Sequence, residues 1–305
     1  VQDKEVVCIT GSTGFVGRHI AHDLCSRGLK VRCLVRPTSD LMPLAGLDIE
    51  TCQGDVTDVK SLEKALQKAK TVVHLVAVIR ETREATFARI NLGGTQNLLQ
   101  AAKKAGVSRV VYMSNLGAEP DQHFPLLYTK WQAEEEVRNS GLDFVILRPS
   151  VIFGRGDGFV SLLAGIIRRM PMAPVIGSGK ARFQLISVED VAACVAQAVE
   201  ETRIINQAFP LGGPEHLSYE EIIDLILERL KLRRPKVRIP VPLMQFVVWA
   251  GEKLGIRLPL TGAQLAMITR DNITSLDAVE RVFGFKPISL GERIDGILRD
   301  TKGAD

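Results

Sequence analysis

The sequence predicts an α/β fold: a doubly wound parallel sheet followed by a smaller, mainly helical C-terminal lobe. Three observations carry this. Short apolar, β-branched runs alternate with amphipathic helical stretches from residue 5 to 114, as in a parallel sheet with helices on both faces. The first run, Val6 to Ile9, passes directly into Gly11, Gly14 and Gly17 and then into a helical pattern of Phe15, Val16, Ile20 and Leu24. Beyond Arg148-Pro149-Ser150 the alternation loosens and gives way to helical segments over 215–300. The domains expected are a sheet domain over 1–214, with 151–181 contributing in part to the second lobe, and a small substrate or partner lobe over 215–305.

The first stretch organises the rest. Glycines spaced G-x-x-G-x-x-G let the backbone turn tightly and approach a ligand, and the free amides of the following helix face an anion. With a strand before and a helix after, the ligand predicted is a dinucleotide pyrophosphate. Gly11, Gly14 and Gly17 are expected to meet it, with Thr13, Phe15 and Val16 as further candidate cofactor residues of the same stretch. A second strand, Lys30 to Arg36, ends where an NAD site offers an acid to the ribose, roughly 20 residues past the glycines. Here that place holds Arg36, and no acid follows until Asp40. A guanidinium pairs with a 2′-phosphate that a carboxylate would repel, so NADP(H) is favoured over NAD(H), with Arg18 as a second positive charge.

A third strand, Ile49 to Gln53, leads to Asp55 and Val56, placed to meet the adenine; Asp55 has an alternative role capping the helix Val59–Lys68. A fourth strand, Thr71 to Val76, carries His74 inside an apolar run, which reads as a core histidine. Ala77 follows at the strand's C-terminal end, where such sheets bind ligands. A long helix is expected over Ala85 to Ala105, its Gly93-Gly94 pair signalling close packing because glycine costs about 1 kcal/mol in a helix. The fifth strand, Arg109 to Ser114, precedes a helix running from about Leu126 through Lys130 to Glu136. The sixth, Asp143 to Leu147, precedes Pro149 and Val151. A strand feeding a helix is expected over Arg182–Val191, and one more strand over Gln207–Gly213.

These residues resemble the short-chain dehydrogenase/reductase superfamily, in its extended and atypical branches, whose sheet is of the Rossmann type. The resemblance rests on Thr10 to Gly17, Asn91-Leu92-Gly93-Gly94-Thr95, Leu147-Arg148-Pro149-Ser150 and Val188-Glu189-Asp190-Val191. Leu258-Pro259-Leu260-Thr261-Gly262-Ala263-Gln264-Leu265, with Asp271-Asn272, is similar to the group related to the nucleotide-binding accessory subunit of mitochondrial complex I. The resemblance implies an NADP(H) oxidoreductase with Pro149 and Val151 beside the nicotinamide. It also implies a catalytic Ser114, a catalytic Lys130 that also holds the ribose, and a tyrosine four residues before that lysine. Residues i and i+4 share a helix face, and such a tyrosine relays a proton to a carbonyl. Here Leu126 stands in that place, and Tyr128 lies about 200° around the helix from Lys130. Reduction then needs another donor: Ser114, Tyr112, His123, water or the substrate.

The net charge of +4 on 305 residues implies no nucleic acid partner, and no aromatic–basic interleaving suggests one. The five cysteines form no C-x-x-C pair and the histidines no metal-ligand spacing; buried reduced thiols and no metal are expected. The longest apolar stretch, Ile239 to Ala250, is too short and too broken to span a bilayer. No leader before the first strand is expected, and no internal repeat is found. The location expected is cytoplasmic, or peripheral at a membrane. The basic run Lys231 to Arg238, followed by the apolar Pro240 to Ala250, reads either as a solvated loop beside a packed helix or as a contact with a membrane or membrane complex through 231–250. Three functions stay open. One is an oxidoreductase acting on a small apolar carbonyl or quinone-like substrate, held between Ala77, Ser114, Val151 and the C-terminal lobe. The others are a non-catalytic, nucleotide-loaded scaffold for a membrane complex and a dinucleotide sensor resembling NmrA-like regulators.

Overall fold

The computed structural model describes residues 5–300 apart from 257 and 259. Seven strands form the main sheet. In chain order, its elements are β1 (Val6–Thr10), α1 (Phe15–Ser26), β2 (Lys30–Val35), β3 (Ile49–Gln53), α2 (Val59–Leu66), β4 (Ala69–His74), α3 (Gly94–Ala105), β5 (Arg109–Met113), α4 (Pro125–Arg138) and β6 (Asp143–Pro149). Then come β7 (Ile152–Phe153), α5 (Val160–Arg169), β8 (Ala173–Ile176), β9 (Arg182–Phe183), β10 (Ile186–Ser187), α6 (Val188–Glu200) and β11 (Gln207–Leu211). The chain continues through β12 (Leu217–Ser218), α7 (Tyr219–Leu230), β13 (Lys236–Ile239), α8 (Val241–Lys253), α9 (Gly262–Ile268), α10 (Ala278–Phe283) and α11 (Leu290–Asp300).

The sheet order is β3-β2-β1-β4-β5-β6-β11, with β1 to β6 paired parallel. This is the doubly wound order, reversing between β1 and β4, where ligands bind at the strands' carboxyl ends. β1 is buried at every position, as expected for a strand covered on both faces. Two compact units are present. One holds the chain to Pro149 together with Glu189–Pro210; the other holds Ser150–Val188 and the chain from Leu211. The first unit's core packs Leu62, Val72, Leu98, Val110 and Ile146 between sheet and helices. The second unit's core joins Phe153, Ile167, Phe183, Tyr219 and Ile294. Short two-stranded pairings brace it: β7 with β10, β9 with β12, β8 with β13.

Several local expectations are corrected. The helix expected over 85–105 is two pieces: Ala88–Gly93 is π-helical and α3 starts at Gly94. The wide turn presents Asn91 to the loop after β4, where its amide accepts from Val78 N–H at 2.8 Å and donates to Val78 O at 3.2 Å. Gly94 is needed because a Cβ there would stand 2.8 Å from Val56 Cγ2. The cap of α2 is Asp58, which accepts from Lys60 N–H, and not Asp55; the helix stops at Leu66. β4 lies two residues earlier than its expected span. The basic run is no simple solvated loop. Its last residues enter β13, with Lys236 paired to Glu220 at 2.7 Å and Asp224 at 2.9 Å, and Arg238 to Glu220 at 3.0 Å.

The tail signature is structural where it is described; Pro259 lies outside the described residues. Thr261 and Gln264 form the capping box of α9. Asp271 grips Arg182 at 2.8 Å. Ser150 Oγ donates to Asn272 Oδ1 at 2.6 Å, and Gln184 Nε2 donates to Gly213 O at 2.7 Å. This fastens residues far apart in sequence into one unit.

Candidate dinucleotide site

The loop between β1 and α1 is shaped by what its glycines lack. Gly11 has φ +79°, a conformation L side chains rarely adopt. A Cβ on Gly17 would stand 2.1 Å from Gly11 O and 2.7 Å from Ser12 Cα, both backbone atoms with no freedom to yield. α1 therefore presses against its own entry loop. Its N-cap, Gly14, offers no side-chain hydrogen bond, and the first turn holds no acid. The amides of Phe15, Val16 and Gly17 are thus left for an external acceptor, where the helix dipole also favours negative charge. Thr13 is half-buried in the same turn. The cradle fits a pyrophosphate.

Arg36 stands just past β2, exposed, its guanidinium making no hydrogen bond or ion pair among the described residues. Its backbone is fixed by Ser39, whose Oγ accepts from Arg36 N–H at 3.2 Å and whose N–H donates to Arg36 O at 2.9 Å. Across the sheet edge, Gly54 N–H donates to Val35 O at 3.0 Å, which brings the next residue, Asp55, to the same end. Asp55 Oδ1 accepts from both Thr57 N–H and Thr57 Oγ1 at 2.8 Å, leaving Oδ2 for another donor. Val56 turns inward against Gly94. Ala77 is exposed in the loop that Asn91 clamps. Pro149 ends β6, its carbonyl accepting from Leu116 N–H at 2.8 Å. Val151 belongs to the second unit, where its carbonyl accepts from Ile186 N–H at 3.0 Å.

Leu126 and Lys130 are both buried on α4, 4% and 2% exposed, so the face that would carry a tyrosine carries an alkyl group. Tyr128 points elsewhere, stacked on Trp131 at 5.8 Å. Lys130 Nζ donates to Met113 O at 2.6 Å and lies 4.6 Å from the centre of the Tyr112 ring. Burial brings its pKa down to about 7, against the opposing pull of Glu134. Near neutral pH this amine is poised between its two forms.

Ser114 is committed in a way the sequence did not reveal. Its Oγ donates to Glu134 Oε1 at 2.5 Å. Glu134, itself buried, also accepts from Arg148 Nε at 2.8 Å and Arg138 Nη2 at 2.9 Å. Burial pushes the Glu134 pKa up, but hydrogen bonds from Arg148 and Ser114 and the Arg148 charge outweigh it and hold the carboxyl below its ordinary value. An ionised carboxylate only accepts. The serine proton therefore points at Glu134, and toward any other group Ser114 can only accept. The sequence analysis does not single out Glu134; its i+4 spacing from Lys130 is the available signal.

Of the other candidate donors, His74 is occupied, Tyr112 is buried and His123 is exposed on a turn. His74 is buried, with Nδ1 2.7 Å from Thr10 Oγ1 and Nε2 3.2 Å from Thr95 Oγ1. Thr95 spends its proton on Asn91 O at 2.7 Å, so Nε2 carries the ring hydrogen and Nδ1 accepts. Burial, then the Lys130 charge, lowers the His74 pKa to about 3; it is a satisfied core residue. Tyr112 is buried, and its pKa is driven far up by burial. His123 lies on an exposed turn bonded to Asp121 at 2.8 Å. Among the described residues no group of three or more His, Cys, Asp or Glu side chains is arranged to hold a metal.

Known proteins share this plan. A rat protein named as NADH dehydrogenase [ubiquinone] 1 alpha subcomplex subunit 9, mitochondrial, is 30% identical over 258 residues, covering 82% of this chain and 67% of its own. A 3 beta-hydroxysteroid dehydrogenase/Delta 5-->4-isomerase of Mycobacterium tuberculosis is 30% identical over 329 residues, covering 92% and 86%. The crystal structure of gox2253 superposes with a TM-score of 0.80 at 27% identity, over 98% of both chains. The UDP-glucose 4-epimerase of Thermus thermophilus, solved with NAD, superposes at 0.75 over 98% of this chain and all of its own; at 20% identity it shows the fold alone. The model of the NAD dependent epimerase/dehydratase family matches residues 7–212, from the first strand through the seventh of the main sheet. The chain belongs to the NAD dependent epimerase/dehydratase family.

Proposed function

We propose that the protein is an NADP(H)-dependent oxidoreductase acting on an apolar, quinone-like carbonyl compound. The observation that supports the cofactor preference is Arg36, an exposed guanidinium just past β2 with no ion pair among the described residues, which would meet a 2′-phosphate. Gly11, Gly14 and Gly17 with the amides of Phe15 and Val16 would hold the pyrophosphate, Thr13 lying in the same turn. Asp55 and Val56 would meet the adenine, with Ala77 on the neighbouring loop. Lys130 would meet the ribose, and Pro149 and Val151 the nicotinamide. When bound, the nicotinamide supplies or accepts a hydride.

The loss of the tyrosine bears on the substrate. An alkoxide released by reduction is strongly basic and needs a proton held ready, whereas a reduced quinone is a phenolate, with a conjugate acid near pKa 10. A quinone-like acceptor therefore asks less of a site that lacks the tyrosine. Ser114, with its proton on Glu134, accepts a hydrogen bond rather than polarising a carbonyl. Calorimetry tests the cofactor: NADPH should bind more tightly than NADH, and Arg36→Ala should remove the difference. Equal affinities in the parent protein would refute it.

Leu126 in the tyrosine's place and the Ser114 hydrogen directed at Glu134 support a second reading, a nucleotide-loaded assembly factor without turnover. The relative named as a complex I subunit gives it context. Binding without NADPH oxidation across quinones, aldehydes and ketones would decide for it. In either reading the protein makes a peripheral contact with a membrane or membrane complex through 231–250.

A further inference from the structure

Helix α8 has too much apolar surface in water. Leu243 is 53% exposed, Phe246 62%, Val247 40% and Trp249 56%, whereas Val248 is 3% exposed. At 100° per residue the four exposed side chains span an arc of about 160°, with Val248 on the opposite side. Phe246 and Trp249 lie against each other at 5.9 Å between ring centres, and Val237, Leu254 and Ile256 extend the exposed apolar surface before and after the helix. Scattered apolar residues on a surface are ordinary; a continuous face rich in aromatic residues calls for an occupant.

Charge indicates which occupant. No Asp or Glu occurs between Glu228 and Glu252, while that interval holds Arg229, Lys231, Arg233, Arg234, Lys236 and Arg238. Three of these six are neutralised within the second unit: Arg229 by Asp295, and Lys236 and Arg238 by Glu220 and Asp224. Lys231, Arg233 and Arg234 have no ion pair among the described residues, and Lys253 adds an exposed cation in the last turn of α8. The helix has 13 residues, about 20 Å, and no helix of the described residues is long and apolar enough to cross a membrane.

We infer that α8 is a membrane-surface helix, lying in the interface of an anionic bilayer with Leu243, Phe246, Val247 and Trp249 at the acyl boundary and Lys231, Arg233, Arg234 and Lys253 among the headgroups. The inference rests on the peripheral contact proposed above and commits it to lipid. An apolar face gives depth and the cations give preference for negative lipid. Lys236 and Arg238, already paired, contribute little.

The protein has two tryptophans, so Trp131→Phe leaves Trp249 as the reporter. Full-length Trp131→Phe protein, mixed with protein-free phosphatidylcholine vesicles containing about 30% phosphatidylglycerol as the anionic lipid, should show a blue shift of Trp249 emission and co-sediment with the vesicles. Pure phosphatidylcholine should bind far less. Each cation near the surface is worth about a fivefold change in partition, so Lys231→Ala/Arg233→Ala/Arg234→Ala should weaken binding on the order of a hundredfold at low salt. Lys236→Ala/Arg238→Ala should change it severalfold at most. Phe246→Ser should abolish the blue shift, and unchanged NADPH affinity of each variant would show that the first unit is intact. No vesicle binding, or equal binding to neutral and anionic vesicles, overturns the inference. No vesicle binding combined with binding to native membranes that protease treatment removes would assign the surface to a protein, leaving the peripheral contact standing and the lipid assignment refuted.

Discussion

Replacing Lys130 with methionine tests whether this buried amine is poised near neutrality. In the unfolded chain the lysine keeps its proton up to about pH 10.5; in the folded protein burial lowers the pKa to about 7. Between those values the unfolded state holds more protons, so stability rises with pH across that window. At about 1.4 kcal/mol per pH unit, and with the folded group half protonated at pH 7, the lysine's cost falls by about 2 kcal/mol between pH 7 and pH 9. Glu134 and His74, the charged and titratable neighbours on α4 and β4, are present in both proteins. Burial raises the thiols of Cys8 and Cys33, to about 12 and about 11, so above pH 9 the folded state holds more protons there and the trend opposes. Methionine keeps the unbranched shape. Urea unfolding of both proteins at pH 6, 7, 8 and 9 should show the stability difference, methionine variant minus parent, shrinking by about 2 kcal/mol from pH 7 to pH 9. A difference that is flat across the series would show that Lys130 stays charged, and would remove it as a group exchanging protons near neutrality.

Four further outcomes follow from the first unit. Gly17→Ala drives a Cβ into the Gly11 carbonyl, so it should lose dinucleotide binding by calorimetry and about 1–3 kcal/mol of stability; Gly94→Ala presses on the Val56 side chain and should weaken binding less than Gly17→Ala. Glu134→Gln breaks a buried network of Ser114, Arg138 and Arg148 and should cost about 3–5 kcal/mol. Because the Glu134 carboxyl sits below its ordinary value, its stabilisation is present above the unfolded pKa and is lost as pH falls through the folded one; the variant's acid-unfolding limb should therefore be shallower than the parent's. Arg36→Ala should equalise NADPH and NADH affinities in titration. Leu126→Tyr restores a phenol one turn before Lys130 and should raise NADPH-dependent aldehyde reduction while leaving quinone reduction within about twofold; equal gains on both would contradict the proposed tolerance of quinones.

The sheet was legible because its signals are local and periodic. β-branched runs at regular spacing and a glycine loop between the first strand and helix suffice to place β1 to β6, and the seven-stranded order agrees. What was not legible depends on partners distant in sequence. One difference is local: Asp58, directly before Val59, reaches Lys60 N–H, while Asp55, the cap expected, accepts from Thr57. The π-helical turn at Ala88–Gly93 follows from Asn91 reaching back to Val78, and no 3.6-residue period encodes such a clamp. The cations of 231–238 look uniform in sequence, yet Glu220 and Asp224 claim two of them through the pairing of β13 with β8.

Ser114 shows how far a matched position is from an understood one. Its place at the end of β5 was readable, and so was the absence of tyrosine at Leu126. The direction of its proton was not, because that is set by Glu134, and Glu134 is fixed in turn by Arg148 from β6 and Arg138 from α4. A serine that gives its hydrogen to a carboxylate is an acceptor toward any ligand. The two departures are therefore coupled: losing the tyrosine removes the group that would protonate a product alkoxide, and the Glu134 network removes the serine hydrogen that would steady a carbonyl oxygen. A substrate suited to what remains must tolerate both losses. On the proposed reading this disfavours simple ketones and favours acceptors whose reduced oxygens are weak bases, or no turnover at all.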